Sequence, residues 1–448
     1  MKKRIEGSYK KTVICTAVVI GMAVLSACSS SKGSEASGGA AGADSKTQAV
    51  SSTGKDTSQG DRSAEGTINF YYWDGGQTEA VEALIGLFEE QQPQIKVVPT
   101  QIPTSEYWTK LQTSLPNGTG PDVFWMNMTA PDYFNAGLLY DMGERIKAEG
   151  VDLSVFPSLL TNLYIQGEAV YAIPKDYDGI ALFYNKAIFD EMGIPYPTDA
   201  MTWDQLLDLA QKVTNDQHYG FVAQNAGNVC YQDFIYSNGG RISAEDHAGC
   251  EINKPEAVEA IQYLHDMMYK SKVSPTYSEQ LEFSPNDMFV SGQAAMITAG
   301  SWKMTNFSEG LGEDLGICTM PVAKTPAITA SGLGYCINAA STNLDAAWEF
   351  VKFCATKEAQ AATVTGAIPA YTGCDQLWVE NFSQHEDAAK ILEGINYEGS
   401  LPNPWFDKGY NDAKTIITET MTTIWSEPEC DIQAALDKCA VDIEAVTK

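Results

Sequence analysis

Basic residues are scarce in this chain: across 448 residues, 29 Lys and Arg stand against 58 Asp and Glu, a formal net charge of −29. An excess of this sign repels polyphosphate and leaves no basic stripe for nucleic acid, so no nucleic-acid partner is expected. It also disfavours adhesion of the folded surface to anionic lipid headgroups. Arg241 is the only arginine after Arg145, which leaves few sources of bidentate anion recognition. The four histidines, His218, His247, His265 and His385, lie in polar or helix-surface contexts that point to solvated or capping roles. No cysteine pair has CxxC spacing, so no zinc site is expected. A Walker loop, HExxH and GxSxG are missing, and Gly332-Leu333-Gly334 lacks the third glycine of GxGxxG. The sequence therefore gives no catalytic group, cofactor or metal to expect.

Apolar material is plentiful, at 44% of residues, which is enough for two or three folded domains. The chain opens with Lys2, Lys3, Arg4, Lys10 and Lys11, followed by an apolar run from Val13 to Leu25 and then Leu25-Ser26-Ala27-Cys28. The run is shorter than the roughly 20 residues of a comfortable bilayer span, and the small residues before Cys28 fit a cleavage site. Residues 1–27 therefore read as a secretory signal. Leu-Ser-Ala-Cys resembles the bacterial lipobox, which implies that Cys28 becomes the lipidated first residue of the mature chain. Cleavage would remove five basic residues and one acidic one, so the mature chain is more acidic still. Residues 28–65 hold that cysteine and a Ser-, Gly- and Ala-rich tether without hydrophobic periodicity.

Eight cysteines remain beyond the signal, in an exported chain where bridges are common. Cys336 and Cys354 sit in apolar contexts typical of small buried hydrophobes. Cys230–Cys250 and Cys430–Cys439 are open as bridges, because connectivity cannot be read from spacing.

From Thr67 the pattern becomes regular. Ile68, Phe70 and Tyr72 alternate as in a strand, and Val81, Leu84, Ile85 and Phe88 recur at helical spacing before the strand Ile95–Val98. A helix near Tyr107–Leu115 leads to the apolar strand Asp122–Met126. Ile180–Tyr184, Ala294–Ile297 and Tyr335–Asn338 read as further strands. Thr202 and Gln205 have capping-box spacing ahead of a helix. Further helices carry Val258, Ile261, Leu264 and Met268, then Ala347, Phe350, Val351 and Cys354. The class is α/β with two sheet-centred lobes.

Nine Trp and twenty-one Tyr are conspicuous, many beside Asp, Asn or Gly at expected strand ends. The clearest cases are Trp73-Asp74, Trp125-Met126-Asn127, Tyr177-Asp178, Gly300-Ser301-Trp302 and Pro404-Trp405-Phe406. Carboxyl ends of strands are where open α/β sheets place ligands. An aromatic face against a sugar ring, with carboxylates or amides on its hydroxyls, is chemistry for a neutral carbohydrate.

In order and spacing, several segments resemble the family 1 extracellular solute-binding proteins of bacterial ABC importers. They are Gly120–Trp125, Ala136–Leu139, Val170–Pro174, Ala181–Lys186, Pro197–Trp203, Phe289–Met296, Gly300–Trp302 and Ala347–Phe353. The resemblance runs from about Thr67 to the C-terminus. It implies a two-lobed, periplasmic-binding-protein-like fold of type II, each lobe a βαβ-built sheet flanked by helices, joined by a multi-strand hinge that closes around solute. By position, lobe 1 is expected to hold residues 66–175 and 322–368, and lobe 2 residues 176–321 and 369–448.

Carried over residue by residue, the resemblance implies a cleft drawing on Trp73, Asp74 and Gln77, on Asn127, and on Tyr177 and Asp178. Trp125 is a further candidate that alternates along its strand and could equally be core. Trp302 matches a stacking tryptophan, and Tyr231 precedes Asn238-Gly239-Gly240 where an aromatic is also expected. Gly332 and Gly334 would let backbone N–H groups approach the ligand. Trp405 and Tyr410 belong to a last segment of less certain register. The implied function is an extracytoplasmic, membrane-anchored lipoprotein, monomeric, that captures a mono- or oligosaccharide and passes it to a permease without catalysing a reaction.

Two other readings compete. A secreted glycosidase would need two carboxylates such as Asp74 and Asp178 about 5–10 Å apart. The same fold could instead bind a peptide, a polyamine or a phosphorylated polyol. The phosphate ester would need Lys or Arg near the aromatic pairs, where only Lys175 and Lys303 stand.

Overall fold

Ile68, Phe70 and Tyr72 do face one core. In the computed structural model, which describes residues 64–406 and 408–448, they are almost wholly buried on strand β1 (Gly66–Tyr72). The expected signal, Cys28 and all of the tether except Ala64 and Glu65 lie outside the described residues. Helix α1 (Thr78–Gln91) buries Val81, Leu84, Ile85 and Phe88 as its spacing predicts, and β2 (Ile95–Gln101) returns parallel to β1. Helix α2 (Thr104–Ser114) then leads to β3 (Val123–Met126), parallel to the other edge of β1. Parallel neighbours require such crossovers, so this stretch is a pair of βαβ units.

Next come α3 (Ala130–Asn135), β4 (Ile173–Pro174), β5 (Ile180–Asn185), α4 (Trp203–Val213), α5 (Tyr231–Ser237) and α6 (Pro255–Tyr269). They are followed by β6 (Met296–Gly300), α7 (Met304–Leu311), β7 (Leu315–Cys318), β8 (Gly334–Ile337) and α8 (Leu344–Cys354). The chain closes with α9 (Tyr410–Ser426) and α10 (Ile432–Thr447).

The first sheet has the order β2-β1-β3-β8-β4, with β8 antiparallel to both of its neighbours. The second has the order β7-β5-β6. It keeps the expected crossover unit, because β6, α7 and β7 run as a βαβ, and β5 is inserted antiparallel between its two strands. Side chains of β5 alternate between two cores, as period-2 geometry requires. Ala181 and Phe183 join the cluster containing Ile68 and Phe70, while Ile180, Leu182 and Tyr184 face the cluster containing Leu206, Leu264 and Leu436.

Segments 174–180 and 319–334 connect the two sheets, and a third segment, 355–375, leaves the first sheet's helix α8 and pairs with the first of them. Val322 N donates to Met201 O, Lys324 N to Ser237 O and Thr329 N to the Asp233 carboxylate. Residues 322–329 therefore lie against Met201 and helix α5.

The Thr202–Gln205 capping box is complete: Gln205 N donates to Thr202 Oγ1 at 3.2 Å and Thr202 N to Gln205 Oε1 at 2.8 Å. Thr202→Ala should lower the unfolding free energy by about 1 kcal/mol, read as a fall in urea midpoint at unchanged slope. All eight described cysteines are free thiols, and all but Cys430 are buried. Three histidines depart from the expected solvated contexts. His218, His265 and His385 are buried, and meet Asn215, the Glu427 carbonyl and Ser308.

Candidate functional site

The three segments meet at Lys175. Its N–H donates to Leu333 O at 2.7 Å, its carbonyl accepts from Ala370 N, and the neighbouring Asp176 and Tyr177 pair with Pro369 and Ile368. Lys175 is 1% exposed, yet its side chain ends in an ammonium charge. That charge is met by an ion pair with Asp176, a 2.8 Å bond to Gln77 Oε1, and the face of Trp125 at 4.4 Å. Gln77 in turn donates to Asp74, whose other oxygen accepts from Gly76 N. Asp74 and Gln77, expected at the ligand, are thus part of a network that ends on the hinge lysine.

Four other expected ligand residues lie in packed surroundings. Trp125 is wholly buried among Phe70, Tyr72 and Trp73, so it has no face to offer a solute. Tyr177 is buried in the first core beside Asp375. Gly332 is required by close packing, since a Cβ there would lie 2.3 Å from Asp176 O. A Cβ at Gly334 would meet Ala172 at 2.7 Å. Both glycines sit where segments of the chain pack closely.

Asp178 is half-buried and accepts from Ser331 Oγ, while its N–H donates to Ser331 O at 2.8 Å. Burial, then the Asp176 charge, pushes its carboxyl up to about 7. Burial does the same to Asp233, also to about 7, where Oδ1 accepts from Thr329 N at 2.5 Å. Both carboxylates therefore hold segment 319–334. A carboxyl whose folded pKa is raised binds more protons folded than unfolded between the two values. The stability these groups contribute is complete below about pH 4, the unfolded value, and is lost as pH rises to about 7. Urea midpoints should accordingly fall across that window, and fall less steeply in Asp178→Asn.

A cavity of about 480 Å³ opens where the loop after β3 faces α5 and α9. It brings together Asn127, Tyr231 and Tyr410 from the expected set. To these it adds Asn225, Asn228, Gln232, Tyr277, Asn403, Lys414 and Thr418, which sequence reasoning missed. Asn127 Oδ1 is taken up by Thr129 N–H and Oγ1, which fixes the amide at the start of α3. Gly227 permits the Gln232 side chain to sit where it does, since a Cβ there would lie 2.6 Å from its Nε2. Gln232 Oε1 and Asn403 Nδ2 are buried without a hydrogen-bond partner, though both residues line the cavity. Unmet buried polar atoms cost free energy unless something else satisfies them. No carboxylate lines this cavity among the described residues, and Lys414 is its one cation.

Two expected aromatics lie elsewhere. Trp405 stacks on His247, with centroids 3.9 Å apart, while its neighbours Pro404 and Phe406 line the cavity. Trp302 is the one exposed tryptophan; its ring covers Gly300 at the end of β6, next to the Ser301–Gly179 hydrogen bond beside Asp178. The amide-rich run Gln224-Asn225-Ala226-Gly227-Asn228 was a signal that could have marked the cavity. Lys414 and Thr418 stand on a long polar helix face and carried none.

A family model described as bacterial extracellular solute-binding protein matches residues 83–390. The galactooligosaccharide-binding protein of Bacillus subtilis (strain 168) is 26% identical over 420 residues, covering 87% of this chain and 93% of that protein. An sn-glycerol-3-phosphate-binding periplasmic protein of Pectobacterium atrosepticum is 22% identical over 403 residues, covering 83% and 89%. Among solved structures, an ABC substrate-binding protein from Listeria monocytogenes in complex with cycloalternan shares the two-lobed fold. Its TM-score is 0.78 at 24% identity, covering 85% of this chain and 98% of that one.

Proposed function

This chain belongs to the bacterial extracellular solute-binding proteins, and we propose that the solute it captures is a neutral mono- or oligosaccharide, held in the amide-lined cavity and delivered to an ABC permease. The observation that carries this reading is the lining itself. Amides and hydroxyls both donate and accept, as sugar hydroxyls do, and two of the amide atoms are buried without partners. The similarity to a galactooligosaccharide-binding protein supports it. The protein acts as a binding component rather than an enzyme: Asp74 is engaged by Gly76 and Gln77, and Asp178 by Ser331. Cys28 anchors the chain by lipid to the extracytoplasmic face of the membrane, and the tether lets a monomeric domain reach solute and permease.

Trp302 does not line the cavity, but its exposed indole at the carboxyl end of β6 offers a stacking face to the part of the solute that reaches beyond the amides. Trp302→Ala should weaken saccharide binding at least tenfold while the melting temperature of the free protein stays close to wild type.

A phosphorylated polyol is the competing solute, favoured by the likeness to a glycerol-3-phosphate-binding protein and by Lys414 in the lining. A single lysine with no arginine is a weak phosphate site. Melting temperatures measured against a panel of neutral sugars and sn-glycerol 3-phosphate separate the two. Upward shifts with sugars support the proposal, and a shift with the phosphate ester alone overturns it.

A further inference from the structure

Methionine sulfur is unevenly placed in this fold. Of the twelve methionines among the described residues, ten are buried, and the half-buried Met192 packs on the core that holds Leu206. Met128 is the exception. It is half-buried, joins none of the three hydrophobic clusters, and lines the amide cavity beside Asn127. It is the one sulfur in that lining among the described residues. Methionine ordinarily fills gaps between apolar groups, so core packing does not account for its place in a polar wall.

The turn that carries Met128 is tied at both ends. Asn127 Oδ1 accepts from Thr129 N at 3.0 Å and from Thr129 Oγ1 at 2.8 Å, and Ala130 N donates to Asn127 O at 3.1 Å as α3 begins. The thioether between them therefore stays at the cavity, with no core to withdraw into. Its surroundings leave it as the group that meets an oxidant. Amides and hydroxyls are inert to peroxide, and a thiol reacts through its thiolate. Seven of the eight described cysteines are buried, and burial pushes all eight thiols up, Cys230 and Cys250 to about 12. They are protonated at neutral pH. The family is extracellular, outside the reducing thiol pool that keeps sulfur reduced within cells.

We propose that Met128 is an oxidation site that switches solute binding off, a proposal that rests on the saccharide reading above. The Met128 sulfur attacks one oxygen of hydrogen peroxide and the O–O bond breaks. The departing hydroxide takes the proton from the transferred oxygen and leaves as water. Sulfur loses two electrons and the peroxide gains them. The sulfoxide that results is bulkier than the thioether and carries an oxygen that can only accept hydrogen bonds. Gln232 Oε1 already lacks a donor in the same wall, so a bound solute must supply one more donor or leave the new oxygen desolvated and unmet. A methionine sulfoxide reductase reverses the step, its dithiol becoming a disulfide as the oxygen leaves as water.

Graded hydrogen peroxide on the purified protein tests this, read by peptide mass mapping and by calorimetry with the saccharide that binds most tightly. Met128 should gain an oxygen before any of the ten buried methionines, and affinity should fall at least tenfold in step with that gain. Methionine sulfoxide reductase with dithiothreitol should restore the affinity, and saturating saccharide should slow the oxidation. Met128→Gln, which sets a polar side chain of similar length at this place, should bind more weakly than wild type before any peroxide. Met128→Leu should show the same affinity before and after treatment. Oxidation of Met128 no faster than that of the buried methionines, a Met128 sulfoxide with undiminished affinity, or a loss that persists in Met128→Leu overturns the switch. Binding of no saccharide by the untreated protein overturns the saccharide reading itself, and the switch with it.

Discussion

Lys175→Met should destabilise the protein by about 3–5 kcal/mol, the usual cost of leaving one partner of a buried ion pair uncompensated. The methionine keeps most of the length and the apolar stem of the lysine and removes its charge and its N–H donors. Asp176, 4% exposed, would then hold a negative charge whose Oδ1 is met by Leu333 N at 2.8 Å and whose Oδ2 has lost its cation. Gln77 Oε1 and the Trp125 ring lose the same partner. Adding Asp176→Asn should restore a good part of the loss, because the amide oxygen can still accept from Leu333 N while no charge remains buried. Urea denaturation of the two variants decides the matter. A single variant within about 1 kcal/mol of wild type would mean that the pair is offset by its own desolvation. The position of Lys175 explains why the effect should be large, since all three segments are bonded to it or to its neighbour.

Asn403→Leu should lower saccharide affinity at least tenfold and leave the free protein no less stable. Most substitutions of buried residues damage both properties, so the combination is diagnostic. Asn403 Nδ2 is buried without a partner, and its desolvation is a cost that no protein group offsets. Leucine has similar bulk and no polar atom to desolvate. A bound hydroxyl, by contrast, would lose the hydrogen bond that Nδ2 offers, worth roughly 1–3 kcal/mol when its partner is left unmet. Melting temperature without solute and calorimetry with it read the two halves separately. Unchanged affinity would remove Asn403 from the site.

Much of the fold was legible because hydrophobic period is a local property. The alternation at Ile68–Tyr72, the helical spacing at Val81–Phe88 and the capping box at Thr202 each report one element, and each formed as read. The order of strands was less legible. Nothing in Ile180–Tyr184 says that this strand enters between the two strands of a later crossover unit. The site was legible only in part, for the same reason. Asn127, Tyr231 and Tyr410 meet in one cavity although they lie far apart in sequence. Trp125 and Tyr177 read like ligand aromatics but alternate into the core. Aromatic beside acid is a pattern that a hinge network also produces: Asp74, Gln77 and Lys175 use it to hold one another. Isolated amides such as Gln232 and Asn403 leave no pattern at all, and only burial without a partner picks them out.

The most direct measurement of the central claim is a crystal structure of the protein grown with the saccharide that binds it most tightly. The account predicts sugar density between the loop after β3 and helices α5 and α9. Hydroxyls should lie within hydrogen-bond distance of Gln232 Oε1 and Asn403 Nδ2. Density elsewhere, with those two atoms still unpartnered, would contradict it.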